Sequence, residues 1–203
     1  MRNALSILLI AAFVALAANA QTKETAIKDC NYTFATAMRA TNAPKEIKKK
    51  LTLVTVEYYS FDGKLHSGQL IIDKALKKDI IDIFKLIKKN KFPIDKVIPI
   101  VQYDWSDSLS MADNNTSAFN FRYIKDTKRY SNHAKGRAID INPFQNPAVY
   151  ASGDVAPAGA KYDTNAAGTL AATDFIVKEF KKRGWRWGGE FTSFKDWQHF
   201  DKE

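Results

Sequence analysis

From residue 51 onward the apolar positions first recur as they do in strands. Leu51 to Tyr59 reads LTLVTVEYY, β-branched and aromatic, and predicts a strand. Phe61-Asp62-Gly63-Lys64 follows with the Asp-Gly pair that favours a hairpin turn, and Lys64 to Ile72 predicts the returning strand. The period then changes. Leu76, Ile80, Ile83, Phe84 and Ile87 fall at helical spacing, predicting an amphipathic helix from a cap at Asp73 to Asn90. Lys96 to Val101 predicts a short buried strand, Asp104 to Ser117 a polar loop. Phe119 to Tyr123, Arg137 to Ile141 and Trp197 to Phe200 predict three further strands. Residues 143–170, rich in Ala, Gly, Pro and Asn, read as a mobile excursion. Thr173 is the expected cap of a helix from Asp174 to Arg183, closed by Gly184. Strands and helices do not alternate regularly. The expected fold is therefore α+β: one compact domain with a central, largely antiparallel sheet and flanking helices.

The start of the chain obeys a different pattern. Arg2 is followed by an apolar run from Leu5 to Leu16 and by Ala18-Asn19-Ala20, a small-x-small cleavage site. This is the pattern of a secretory signal peptide over residues 1–20, with a run too short for the ~20 residues that span a bilayer. The expected product starts near Gln21 and is periplasmic or extracellular, with no stable membrane span. Residues 21–50 are polar and lysine-rich and predict one or two short helices, broken near Asn42-Ala43-Pro44. Residues 51–203 then form the main domain.

Composition narrows the chemistry. The 203 residues are 45% apolar, enough for a packed core, and carry a formal charge of +9. A basic exported chain favours anionic partners such as a carboxylate-rich cell wall. No basic stripe interleaved with aromatics points to nucleic acid, and a monomer is expected. A single cysteine, Cys30, excludes an internal disulfide framework, and any imidazole metal site must draw on His66, His133 and His199.

The chemistry concentrates in SNHAKGRAIDINP, residues 131–143, and GWRWGGEFTSFKDWQHFD, residues 184–201. His133 and Asp140 lie seven positions apart, and His199 would supply a third ligand from a distant strand. Such a set, with a fourth position open, suits a catalytic Zn²⁺. Asp196, three residues before His199, is placed to act as a base, and Glu190 is its rival. Spacing alone leaves a chance His-x6-Asp and plain core packing of the tryptophans equally open. His66 follows the hairpin turn and reads as a surface or edge-strand residue.

Ser131, His133, Gly136, Ala138 and Asp140 match S-x-H-x-x-G-x-A-x-D. Trp187-Gly188-Gly189 and Asp196-Trp197-Gln198-His199-Phe200 match a Trp-Gly-Gly stretch followed by acid-x-x-His-Phe. These paired segments resemble the D-alanyl-D-alanine carboxypeptidase (VanY-like) and L-alanyl-D-glutamate peptidase family of zinc peptidases, over roughly residues 51–203. The resemblance implies a hedgehog-like fold, Zn²⁺ held by His133, Asp140 and His199, and Asp196 as catalytic acid. It also implies that Arg122 binds an oxyanion or a substrate carboxylate. Ser131 and Trp187 are expected on the substrate side, and Phe191 in the cleft wall. The implied activity is hydrolysis of peptidoglycan stem peptides. The alternative is a non-catalytic, zinc-containing cell-wall or ligand-binding module on the same fold.

Overall fold

The computed structural model describes residues 24–124 and 127–203. The expected signal peptide lies outside the described residues. The first elements are β1 (Ile27–Lys28), α1 (Phe34–Ala37), α2 (Lys45–Lys48), β2 (Leu51–Tyr59) and β3 (Leu65–Asp73). The two short helices flank the expected break at residues 42–44. β2 and β3 pair antiparallel along their full length, from Leu51 opposite Asp73 to Tyr59 opposite Leu65. β1 adds to the far side of β3 in parallel at His66 and Ser67, which makes β3 the middle strand; beyond that pairing, residues 68–73 of β3 are buried.

Asp73 accepts a hydrogen bond from the Ala75 amide and opens a short 3₁₀ turn, which runs into α3 (Lys77–Lys89). Ile80, Ile83, Phe84 and Ile87 form the buried face of α3. They join Val54, Val56, Leu70 and Ile72 from the hairpin and Phe180, Trp185, Trp187 and Phe200 from the chain's end in one core. Alternate positions of the same hairpin, Leu51 and Ile71, face the other way and pack on Ala37, Met38 and Phe119.

Next come β4 (Lys96–Val97), α4 (Asp107–Ala112), β5 (Asn115–Thr116), β6 (Ala138–Asp140), β7 (Ala148–Val149) and β8 (Val155–Ala156). The chain ends with α5 (Phe175–Lys182), β9 (Arg186–Trp187), β10 (Lys195–Asp196) and β11 (His199–Asp201). Four expectations change here. The strand expected to reach Val101 stops at Val97, because Pro99 offers no amide and the chain turns into a 3₁₀ segment. The expected loop at residues 104–117 contains α4, capped by the Ser106 hydroxyl on the Leu109 amide. Residues 119–123 lie alongside other backbone without forming a strand. The last helix is capped at Asp174 rather than Thr173.

The expected central sheet is fragmented. Its pieces are β1-β3-β2, β6-β11-β9, β10-β7-β8 and β4-β5. Single contacts stitch two of them together: Phe119 N–H donates to Ile71 O of β3, and Ser117 forms an antiparallel bridge with Asp140 of β6. The order β2, β3, residues 117–119, β6, β11, β9 thus crosses the molecule as an interrupted antiparallel array. The 143–170 segment is anchored through the buried Asn146, whose side-chain amide donates to Ile141, Asn142 and Gly168 carbonyls. Tyr162 stacks on Trp197 with ring centroids 3.9 Å apart.

Candidate metal centre

His133 opens a 3₁₀ turn that ends at Gly136, where φ is +66°. A Cβ at Gly136 would lie 2.5 Å from Leu51 Cδ2 and 2.9 Å from the Asp73 amide nitrogen, so glycine is needed for both reach and conformation. The Ser131 hydroxyl accepts the His133 amide at 3.2 Å and fixes the turn's entry. The sequence of this loop therefore aims one imidazole inward.

Asp140 and His199 meet through sheet register. Asp140 spends its backbone N–H and C=O on Ser117. Toward β11 it is consequently a non-hydrogen-bonded partner of His199, the pairing that brings side chains closest. His133 Nε2 lies 3.2 Å from Asp140 Oδ2, and His199 Nδ1 lies 2.9 Å from Asp140 Oδ1. The two ring nitrogens are 3.1 Å apart. One ligand atom from each of the three residues thus falls within 4.8 Å of the others.

The remaining ring nitrogens are turned away from this point. His133 Nδ1 lies 2.5 Å from the Ala118 carbonyl, which can only accept, so Nδ1 carries a proton and Nε2 is the nitrogen left for a metal ion. His199 Nε2 faces Asp201 Oδ2 at 3.6 Å. Two imidazoles and one carboxylate converge, the back nitrogen of His133 hydrogen-bonded and that of His199 facing Asp201, and this donor set fits a zinc ion. Burial alone would lower the pKa of His199, but its contacts to Asp140 and Asp201 carry it up to about 10. Burial would raise Asp140, yet His133 and His199 hold it far below the usual carboxylate range. A metal ion must therefore displace a proton to bind here.

Asp196 sits on β10, opposite Ala148 of β7. Its Oδ1 is buried with no hydrogen-bond partner among the described residues. Burial pushes its pKa up to about 6, helped by the Asp140 charge and opposed by His199, His133 and Arg122. Gly188 makes room for it, since a Cβ there would come within 2.3 Å of the Asp196 carbonyl oxygen. The rival base Glu190 is exposed and bonded to Lys181 Nζ at 2.5 Å.

Residues 125–202 match the family model described as D-alanyl-D-alanine carboxypeptidase. The segment is similar to that family over less than half of the chain. The match contains His133, Asp140, Asp196 and His199; Arg122 lies three positions before it. No curated protein and no solved structure matches the chain.

The other expected site residues are distributed around this peptidase centre. Arg122 pairs with Asp107 of α4 at 3.0 Å, while its Nε is buried without a partner among the described residues. Ser131 and Trp187, expected on the substrate side, are 5% and 3% exposed. Trp187 donates its indole N–H to the Trp197 carbonyl and stacks beside Phe200, bracing the site from beneath. Phe191 does reach the centre, its ring 6.1 Å from that of His199, and contacts Phe194, which stacks with Tyr150. Tyr150 was missed by sequence reasoning. Burial raises its phenol pKa, and Asp196 adds to the shift. Asp201, Asn132 and Arg186 were missed too, although Asp201 lies on the same face of β11 as His199 by the two-residue period of a strand.

His66 and Cys30 stand apart. His66 lies on the central strand β3 rather than an edge, with Nδ1 2.7 Å from Asp29 Oδ1 and Nε2 3.3 Å from Asp62 Oδ2. Burial pushes the Cys30 thiol up to about 11, leaving it protonated and unreactive at neutral pH.

Proposed function

We propose that this chain is an exported zinc peptidase that hydrolyses peptide bonds of peptidoglycan stem peptides, as a carboxypeptidase or endopeptidase, on a hedgehog-like scaffold. The observation that carries the reading is the convergence of His133, Asp140 and His199 beside Asp196, a buried carboxylate with an unpartnered oxygen. A metal module used only for binding has no need of such a group, and this favours catalysis.

In this reading His133 Nε2, one Asp140 oxygen and His199 Nδ1 hold the ion. When bound, zinc polarises a scissile carbonyl and lowers the pKa of water toward ~7. Asp196 Oδ1 accepts the proton of the attacking water and delivers it to the leaving amine. Its elevated pKa suits both transfers near neutral pH. Arg122, restrained by Asp107, supplies positive charge for a substrate carboxylate or a developing oxyanion. The Phe191, Phe194 and Tyr150 rings shield that side of the centre from water. The signal-like residues 1–20 support a periplasmic or extracellular site of action, where stem peptides are met. Among the described residues no helix is long and apolar enough to cross a membrane.

Digestion of purified muropeptides by the zinc-loaded chain, followed by mass spectrometry, tests the function. Products with one added water across a stem-peptide bond are expected. Intact muropeptides after prolonged incubation would leave only the binding-module reading.

A further inference from the structure

Asp201 is 4% exposed and is the most heavily bonded carboxylate near the centre. Arg186 on β9 stands directly opposite it in register and grips it from two nitrogens: Nε on Oδ1 at 2.8 Å and a terminal nitrogen on Oδ2 at 2.6 Å. Asn132 donates its side-chain amide to Oδ2 at 2.8 Å. The same Oδ2 faces His199 Nε2. Asn132 immediately precedes His133, and Asp201 follows His199 by two residues. One carboxylate therefore ties together the two histidine-bearing segments, which are separated by 66 positions in the chain.

We propose that Asp201 is a positioning residue for the metal centre, with Arg186 and Asn132 as the clamp that holds it. Once a metal ion displaces the proton between His199 Nδ1 and Asp140, the Asp201 carboxylate facing Nε2 holds the remaining ring proton there and leaves Nδ1 to the ion. The bidentate Arg186 grip fixes the carboxylate's plane. The Asn132 bond sets the spacing between the His133 loop and β11. Ligation through His199 Nδ1 is thus preset by the fold. This rests on the metal assignment above, but not on what the chain hydrolyses.

The test uses the full chain loaded with one equivalent of zinc and labelled with ¹⁵N-histidine. Long-range ¹H–¹⁵N correlation should place the His199 proton on Nε2 and a metal-shifted resonance on Nδ1. A proton on Nδ1 overturns the proposal without any mutation. Zinc affinity is then measured by chelator competition. Asp201→Asn should weaken it about 10- to 100-fold, the usual cost of removing a group that orients a ligand. Arg186→Gln, whose side chain is 55% exposed and dispensable for packing, should weaken it less and in the same direction. Arg183→Ala, at the C-terminal cap of α5, should leave it unchanged. A merely structural ion pair would lower the unfolding midpoint of both clamp variants while their zinc affinity stayed at the wild-type value, and that result overturns the proposal.

Discussion

The molecule holds two histidine–carboxylate clusters, and they have opposite designs. Around His66 a single imidazole gives its two nitrogens to two carboxylates on opposite sides, Asp29 and Asp62. Asp29 in turn bonds the Tyr58 hydroxyl. Every group is paired outward, so the cluster fastens the segment after β1 to the β2–β3 hairpin and offers no common point to a metal. Around His133, Asp140 and His199 the pairing runs inward. His133 bonds one nitrogen to the Ala118 carbonyl, His199 faces one toward Asp201, and each turns the other toward the shared carboxylate. Composition does not separate the two clusters; the direction of the unshared ring nitrogens does.

The largest expected effect separates them by metal content. His133→Ala, Asp140→Ala and His199→Ala should each reduce bound zinc from about one per chain to near zero, while His66→Ala retains it. Elemental analysis of the purified variants decides this. Zinc loss on His66→Ala would erase the distinction between the clusters.

Next in size is the contrast between metal holding and proton transfer inside one cluster. Asp196→Asn should lower turnover of a susceptible muropeptide by ~10²- to 10⁴-fold with zinc retained. Glu190→Gln, an exposed partner of Lys181, should change little. A general base works ionised, so under the proposed role the rate should fall as pH drops through the Asp196 pKa. That value is about 6 without metal, and a bound dication moves it lower. A fully active Asp196→Asn enzyme removes Asp196 from the mechanism.

A smaller effect sits in the scaffold of the same cluster. Gly188→Ala pushes a methyl group into the Asp196 backbone and should cost about 1–3 kcal/mol of stability by overpacking. Denaturant unfolding with zinc present measures it.

The smallest effect belongs to the outward-paired cluster. Burial lowers the pKa of His66, but its bonds to Asp29 and Asp62 outweigh that and raise it above the ordinary value. The folded state then holds the proton more tightly than the unfolded one. The contribution is complete below the unfolded pKa of ~6.5 and is lost as pH rises through the higher folded value. His66→Gln should therefore cost about 1 kcal/mol at pH 6 and less at pH 8.5. Urea titrations at the two pH values read the difference. A cost that grew with pH would reverse the assigned role.

Much of this architecture is legible in the sequence where a local signal is strong. The LTLVTVEYY run, the Asp-Gly turn, the Asp73 cap and the apolar face of α3 all specify themselves within a dozen residues. Helix α4 is missed because DSLSMA is short and polar, and only its Ser106 cap marks it. The single sheet is over-read because β6 and β11 are three residues each and join the hairpin only through isolated contacts at residues 117–119. In the site, His133, Asp140 and His199 stand in recognisable spacing. Arg186 and Asn132 do not, because their meeting with Asp201 depends on strand register and on a loop's return. Trp187 misleads for a related reason: its neighbours in sequence line the site, while its own ring points into the core.

The most direct test of the inward and outward designs is anomalous diffraction at the zinc edge from crystals of the full chain soaked in zinc. One peak is predicted, ~2.0–2.2 Å from His133 Nε2, His199 Nδ1 and an Asp140 oxygen, with none beside His66. A peak among His66, Asp29 and Asp62, or none at the His133 cluster, would contradict the account.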